Sequence, residues 1–298
     1  MTMPQVRTVL QPTDWTYTFG PLSAPVLVLN TTDAAGVVWF ADEPEGWAAA
    51  PTSTATDPRP YGDRSFAGDT YLEERVLTFA DGFVEAPTQA LALAAWDQLL
   101  AVAQTRVEIL YTQQETPPRS LYLRAASGQP KRRWLSDTAF EFSLIMVAED
   151  PLKFSATEAA ATVSTMLPMP AEGRVYNRTY PYTYPPTTTQ GSVRLTNSGN
   201  EDAPSVITLR GYLDHPVVGL DSTGEFVGLD VVLGVMDTAT IDSRNALVTI
   251  NGQVRYDALI PGSSFLTLPP GDNTLRLSHA DAYNTTALMT VSAPSTWK

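Results

Sequence analysis

The chain has 298 residues, 43% of them hydrophobic and 17% charged, with no cysteine and a formal charge of −13. Such a composition belongs to a folded protein and excludes a disulfide scaffold, thiolate metal sites and a cysteine nucleophile. Residues 1–154 carry eleven basic and nineteen acidic side chains, and 155–298 carry eight and thirteen. Neither part has the basic stripe that grips phosphates, so sequence-specific nucleic-acid binding is not expected.

The length suits two domains of ordinary size. Proline (24) outnumbers glycine (18), which favours many short strands joined by rigid turns. No run of some 20 apolar residues offers a membrane span, and Met1 to Arg7 lacks the features of a signal peptide, so folding in a cytoplasm is expected.

In chain order, β-type runs are expected at Val6–Leu10, Trp15–Phe19 and Val26–Leu29, punctuated by Pro12, Gly20-Pro21 and Pro25. Trp15, Tyr17 and Phe19 alternate with Thr16 and Thr18, the pattern of a strand buried on one face. Asp42 to Asp69 is polar and proline-rich, a long loop that is either merely variable or part of an interface. Strand resumes at Tyr71–Phe79, with a short strand at Phe83-Val84. Pro87 to Arg106 reads as an amphipathic helix whose stripe of Leu93, Trp96, Leu99, Leu100 and Ala103 packs on the core. Val107–Tyr111 and Leu121–Arg124 form a hairpin around Pro117-Pro118. The one basic cluster, Lys131-Arg132-Arg133, reads as a solvated turn. Phe140 to Val147 alternates bulky apolar residues and must stop at Asp150-Pro151, because proline has no N–H for a ladder.

Beyond that stop, Tyr176–Pro186 alternates tyrosine with proline and threonine, as an extended connection with its rings on a sheet or as a sugar-stacking surface. Val193 to Gly211 reads as strand, turn and strand, with Asn197-Ser198-Gly199-Asn200 accepting positive φ. Asn251-Gly252 signals a type I′ hairpin, and Phe265 to Leu277 a further hairpin through Pro269-Pro270-Gly271. The expected fold is mainly β: two β-sandwich-like domains, 1–154 and 155–298, with one amphipathic helix in the first.

Chemistry-bearing constellations are sparse. His215 and His279 lack metal-ligand spacing, Asp221, Asp230, Asp237 and Asp242 lack the spacing of a calcium loop, and no Gly-x-Ser-x-Gly elbow occurs. Glu73-Glu74, Glu149-Asp150 and Glu201-Asp202 are sequence neighbours, which on a strand point to opposite faces, although glycosidase carboxylates can come from distant strands. No catalytic, cofactor-binding or metal residue is assigned, and no cofactor is expected.

Val147-Ala148-Glu149-Asp150-Pro151-Leu152-Lys153-Phe154-Ser155 resembles the segment that ends the N-terminal domain of siphophage distal tail proteins and related minor tail proteins. Arg75-Val76-Leu77 before Phe83-Val84 and a helix resembles the same family, as do Val193 to Gly211, Pro216-Val217-Val218, Ser222-Thr223-Gly224, Phe265 to Leu277 and, with Arg244 only two places after Asp242, Ile241 to Gly252. The resemblance runs through both parts in order. It implies an N-terminal domain that forms a hexameric ring at the distal end of the tail tube, and a peripheral C-terminal sandwich of galectin-like or carbohydrate-module-like topology. It also implies a virion location after assembly in the host cytoplasm, with copies of itself, the tail tube protein, a tail-tip hub or fibre protein and the tape measure protein as partners, and a central passage for DNA. On that reading the −8 charge through Phe154 suits a passage wall that does not hold DNA, with Lys131-Arg132-Arg133 outside the lumen; plain solubility would account for the charge equally well. The alternatives are a cell-wall carbohydrate-binding adhesin, a tail-associated hydrolase, and another tail-tip or neck ring protein.

Overall fold

The computed structural model describes residues 15–58, 65–156, 164–165, 191–280 and 287–298. The strand expected at Val6–Leu10 and the Tyr176–Pro186 run lie outside the described residues. The fold is mainly β, and the chain divides after Ala156 into two compact units, each with its own hydrophobic cluster.

The strands of the first unit are β1 (Tyr17–Phe19), β2 (Leu27–Leu29), β3 (Thr31–Thr32), β4 (Val38–Phe40), β5 (Thr52–Pro58), β6 (Ser65–Leu72), β7 (Arg75–Glu85), β8 (Ile109–Gln113), β9 (Arg119–Ala125), β10 (Lys131–Trp134), β11 (Ala139–Ala148) and β12 (Lys153–Ser155). Helix α1 (Gln89–Ala103) joins β7 to β8. One antiparallel ladder runs β2-β1-β8-β9-β12 and another β3-β4-β7-β11-β10; they join where β9 meets β11, Ala125 opposite Met146. Between the ladders Tyr17, Phe19, Phe79, Tyr111 and Trp47 pack ring to ring, Phe19 and Tyr111 with centroids 5.1 Å apart and Trp47 and Tyr111 5.5 Å apart. Edge and tilted geometries of this kind add to the area that aromatic rings bury.

Several local expectations are corrected here. Thr18 is buried along with Tyr17 and Phe19, because β1 lies between two strands and both its faces are covered. The polar stretch from Asp42 holds a core residue, Trp47, and then β5 and β6, which pair with each other from Thr52 opposite Leu72 to Pro58 opposite Ser65. Lys131-Arg132-Arg133 is an edge strand, not a turn.

Helix α1 is capped by Thr88, whose hydroxyl accepts from Leu91 N at 3.3 Å. Its buried face is Ala92, Ala95, Leu99, Val102 and Ala103. Leu93, expected in the core, is 46% exposed, and Trp96 is half-buried, edge-on to Phe140 at 5.8 Å.

The second unit has β13 (Ser164–Thr165), β14 (Gly191–Asn197), β15 (Ala203–Pro204), β16 (Val206–Arg210), β17 (Leu213–Asp214), β18 (Val217–Leu220), β19 (Phe226–Gly228), β20 (Val232–Leu233), β21 (Thr238–Asp242), β22 (Leu247–Ile250), β23 (Gln253–Val254), β24 (Thr267–Leu268), β25 (Gly271–Ser278) and β26 (Leu288–Ser292). Its two main sheets run β13-β26-β16-β21-β22-β23 and β14-β25-β18-β19. Strict alternation supplies the core: Val193 and Leu195, Ile207 and Leu209, Leu275 and Leu277, Met289 and Val291 are buried. Asn251 and Gly252 take φ of 51° and 77°, as a type I′ hairpin requires.

The strand, turn and strand expected over Val193 to Gly211 is present, with β14 and β16 in different sheets. The hairpin expected over Phe265 to Leu277 is not formed: β24 pairs with β15 whereas β25 pairs with β14 and β18. Nor does the Asn197–Asn200 turn use positive φ. Gly199 is needed for closeness: a Cβ there would lie 1.7 Å from the carbonyl oxygen of Thr296. Asn197, almost fully buried, pins the same turn. Its Nδ2 donates to Glu201 O (2.8 Å) and Leu268 O (2.9 Å), and its Oδ1 accepts from Gly199 N (2.9 Å) and Thr296 N (3.2 Å).

Candidate functional site

The residues around Asp150-Pro151 form a buried cationic clamp in the first unit. Asp150 Oδ1 accepts from Leu152 N at 3.1 Å, turning the chain after β11, and the Pro151 carbonyl accepts from Arg75 Nε at 3.0 Å. Arg75 is fully buried at the start of β7. Its Nη1 donates to the carbonyls of Gly46 (2.9 Å) and Trp47 (2.6 Å), while Nη2 is buried without a partner among the described residues. Lys153, buried on β12, donates to Ala48 O at 3.4 Å and places Nζ 4.9 Å from the centre of the Trp47 ring. Trp47 Nε1 donates to the Glu115 carboxylate, which also accepts from Gln113 Nε2 (3.4 Å) and pairs with Arg119 (3.4 Å).

Burial dominates the electrostatics of this cluster. It lowers the Arg75 guanidinium to about 10 and the Lys153 ammonium to about 8; beside Lys153, Arg75 and Arg119 add to the lowering, and Glu115 and Glu43 oppose it. Burial, with help from Glu43 and Glu115, raises the Tyr17 and Tyr111 phenols. What the arrangement does is hold the backbone at 46–48, the root of the β5–β6 ribbon. That ribbon pairs with no third strand among the described residues, and Tyr71 on it is 65% exposed.

The basic cluster is largely occupied. The Arg132 guanidinium lies 4.6 Å from the Trp96 ring centre and 4.7 Å from that of Trp134, and Arg133 pairs with Glu141 at 2.6 Å. In the second unit the four aspartates considered for calcium each serve a separate local purpose. Asp221 accepts twice from Arg276 Nε at 2.8 Å, and Asp230 faces His215 Nε2 at 3.2 Å. Asp237 accepts from Gly234 N and Asn251 Nδ2, and Asp242 accepts from Arg244 N and Asn245 N. His215, between Asp214 and Asp230, is not joined by His279. Among the described residues no group of three or more His, Asp or Glu is placed to hold a metal ion, and no helix is long and apolar enough to cross a membrane.

From the sequence alone the Asp150-Pro151 stretch reads as a strand end, and nothing there joins Trp47, Arg75 and Lys153 in a common task. The available signals were a tryptophan inside a polar stretch and an arginine on the inward period of a strand.

Residues 198–290 match the family described as "Siphovirus-type tail component, C-terminal domain". No curated protein sequence matches the chain. Among solved structures, the chain is similar to the SPP1 Dit (gp 19.1) protein, described as a paradigm of the hub adsorption apparatus in phages that infect Gram-positive bacteria. The identity is 15% and the TM-score 0.62, over 93% of this chain and 98% of that one. It is also similar to chains of the phage P2 baseplate in its activated conformation, with Ca (10% identity, TM-score 0.53, 93% and 97% covered) and with Sr (9%, 0.54, 94% and 97%). Residues 198–290, within the second unit, thus resemble the siphovirus-type tail component domain, and over 93% of its length the chain is similar in fold to the SPP1 Dit protein.

Proposed function

We propose that this chain is a structural protein of the distal end of a siphophage tail. In this reading its first unit, taken as 1–154, assembles head to tail into a hexameric ring and its second, 155–298, stands at the periphery. The observation that carries the proposal is the agreement of fold through both units with nearly the whole SPP1 Dit chain, in a protein whose second unit also matches the tail-component family. Ring closure needs a heterologous contact, in which one patch of a copy meets a different patch of the next. The β5–β6 ribbon suits one side of such a contact: an isolated two-stranded ribbon is marginal in water and gains by packing on another sheet.

One face of the ring would receive the tail tube protein and the other a hub or fibre protein, with the tape measure protein and later DNA in the passage. The role is geometric, not enzymatic. The net charge of −8 through Phe154 and the engagement of Arg132 and Arg133 with aromatic rings and Glu141 suit a wall that lets DNA slide. Mass in solution combined with negative-stain imaging tests the proposal. Closed rings of six copies are expected for the whole chain, and replacing residues 53–71 by a short flexible turn is expected to give folded monomers. A chain that stays monomeric at every concentration, or that forms rings as well without the ribbon, argues against it.

A further inference from the structure

We propose, resting on the ring reading above, that the β5–β6 ribbon of one copy pairs along the open β10 edge of the next copy. The ladder β3-β4-β7-β11-β10 then continues across each contact of the ring. A head-to-tail contact needs two different patches of one chain, and these two differ in place, shape and charge.

β10 lies against β11 on one side and has no strand on its other side among the described residues. Its register is unbroken over four pairs, from Lys131 opposite Ser143 to Trp134 opposite Phe140. Leu135 N extends the pairing by donating to Ala139 O at 2.9 Å. That bond sets the phase of the ladder. Positions 131, 133 and 135 turn their backbone groups toward β11, so the N–H and C=O of Arg132 and Trp134 face the open side. Free backbone groups at alternate residues are what an added strand pairs with. Beside them Trp134 and Leu135 stand exposed, and the Arg132 guanidinium lies over the rings of Trp96 and Trp134. Tryptophan and arginine are the residue types that most often anchor a contact between proteins.

The ribbon supplies the complementary half. β5 and β6 pair only with each other among the described residues, so each has an open margin, and at seven and eight residues both are long enough to cover β10. Charge is matched as well. Residues 52–74 hold five acidic side chains and two basic ones, and both basic ones, Arg59 and Arg64, fall between the two strands. Facing them, Lys131-Arg132-Arg133 has one carboxylate at hand, Glu141, paired with Arg133. The chain is acidic as a whole, yet the charges that meet at this contact are of opposite sign, which guides and orients the encounter of two copies.

The two patches lie at opposite ends of one strand pair. β6 stops just before Arg75, which faces Ala148, whereas β10 covers residues 140–143 of β11, next to the point where Ala139 faces Glu85. The eleven residues of β7 put about 30 Å between those ends. A ribbon that leaves one end of a copy and meets the far end of the next gives the head-to-tail order of a closed ring. It also keeps Lys131, Arg132 and Arg133 between copies and out of the passage.

The test uses the whole chain. Arg132→Pro removes an outward N–H at an edge position, where proline is tolerated, and is expected to give folded monomers by mass in solution. Lys131→Glu leaves the backbone alone and is expected to raise the concentration needed for assembly by about tenfold or more, with the unfolding midpoint unchanged. Mixing isolates the contact: Arg132→Pro keeps a ribbon, and the chain with residues 53–71 replaced by a short flexible turn keeps an open edge. Together they should form dimers of one copy each that grow no further, although neither associates alone. Rings formed by Arg132→Pro or Lys131→Glu as readily as by the unaltered chain would overturn the pairing and leave the ring reading standing. So would a mixture that stays monomeric. An unaltered chain that is monomeric at every concentration removes the ring reading, and the pairing with it.

Discussion

Arg75 Nε donates to the carbonyl oxygen of Pro151 at 3.0 Å, tying the first residue of β7 to the proline that ends β11. The two residues are 76 positions apart, and the same guanidinium also holds the carbonyls of Gly46 and Trp47. One fully buried cation thus gathers the start of a strand, the end of a strand and the root of the β5–β6 ribbon.

Replacing Arg75 by alanine leaves three buried carbonyls without their donor. With hydrogen bonds to charged groups worth about 1.5–3 kcal/mol each and partial relaxation, the loss should be about 3–5 kcal/mol. Arg75→Lys should recover only part of it, since one ammonium cannot reproduce the planar fork. Urea unfolding monitored at the tryptophans measures this; an unchanged midpoint for Arg75→Ala would show that the clamp does not hold the unit together.

Lys153 makes the stability of the first unit depend on pH in a definite direction. Its ammonium titrates at about 8 in the folded protein against 10.5 for an unperturbed lysine, so between these values the unfolded chain holds more protons. Stability should therefore rise from pH 8 toward pH 10, and fall as pH drops back through 8. Above pH 10 the raised phenols of Tyr17 and Tyr111 work the other way, because the unfolded tyrosines ionise first. Lys153→Met should flatten the rise between pH 8 and 10; a slope that persists in that variant would assign it to another group.

The helix offers a ranking test. Leu99 is fully buried and Leu99→Ala should lose about 2–5 kcal/mol, whereas Leu93→Ala, on the exposed flank, should stay within about 0.5 kcal/mol. Trp96→Ala should fall between them and should also free Arg132, which the Trp96 ring covers. Chemical denaturation of the three variants settles the order, and a larger loss at Leu93 than at Leu99 would contradict the observed helix face.

In the second unit, Asn197→Asp replaces an amide donor that serves two carbonyls with a buried carboxylate, and Gly199→Ala forces a methyl group against Thr296 O. Each should lower the stability of this unit by several kcal/mol, on the order expected for a buried unsatisfied or clashing group. Since the two units have separate cores, the lowered transition in calorimetry should be that of the second unit, with that of the first unchanged. A common shift of both transitions would show that the units unfold together.

The sequence alone determined the elements whose cause is local. Proline at 151 stops β11, Asn251-Gly252 makes a hairpin, Pro87 and Thr88 start the helix, and apolar alternation marks β14, β16 and β25, because each depends on the dihedral range or side-chain period of a few consecutive residues. The tertiary structure decided which strands pair and which residues far apart meet. Phe265 to Leu277 looks like a hairpin by its turn residues, yet β24 pairs with β15 and β25 with β14 and β18. Trp47, Arg75, Pro151 and Lys153 are spread over more than a hundred residues, and no local signal links them. They meet because a buried cation must find carbonyl oxygens and an aromatic face, and only the closed sandwich brings those within reach.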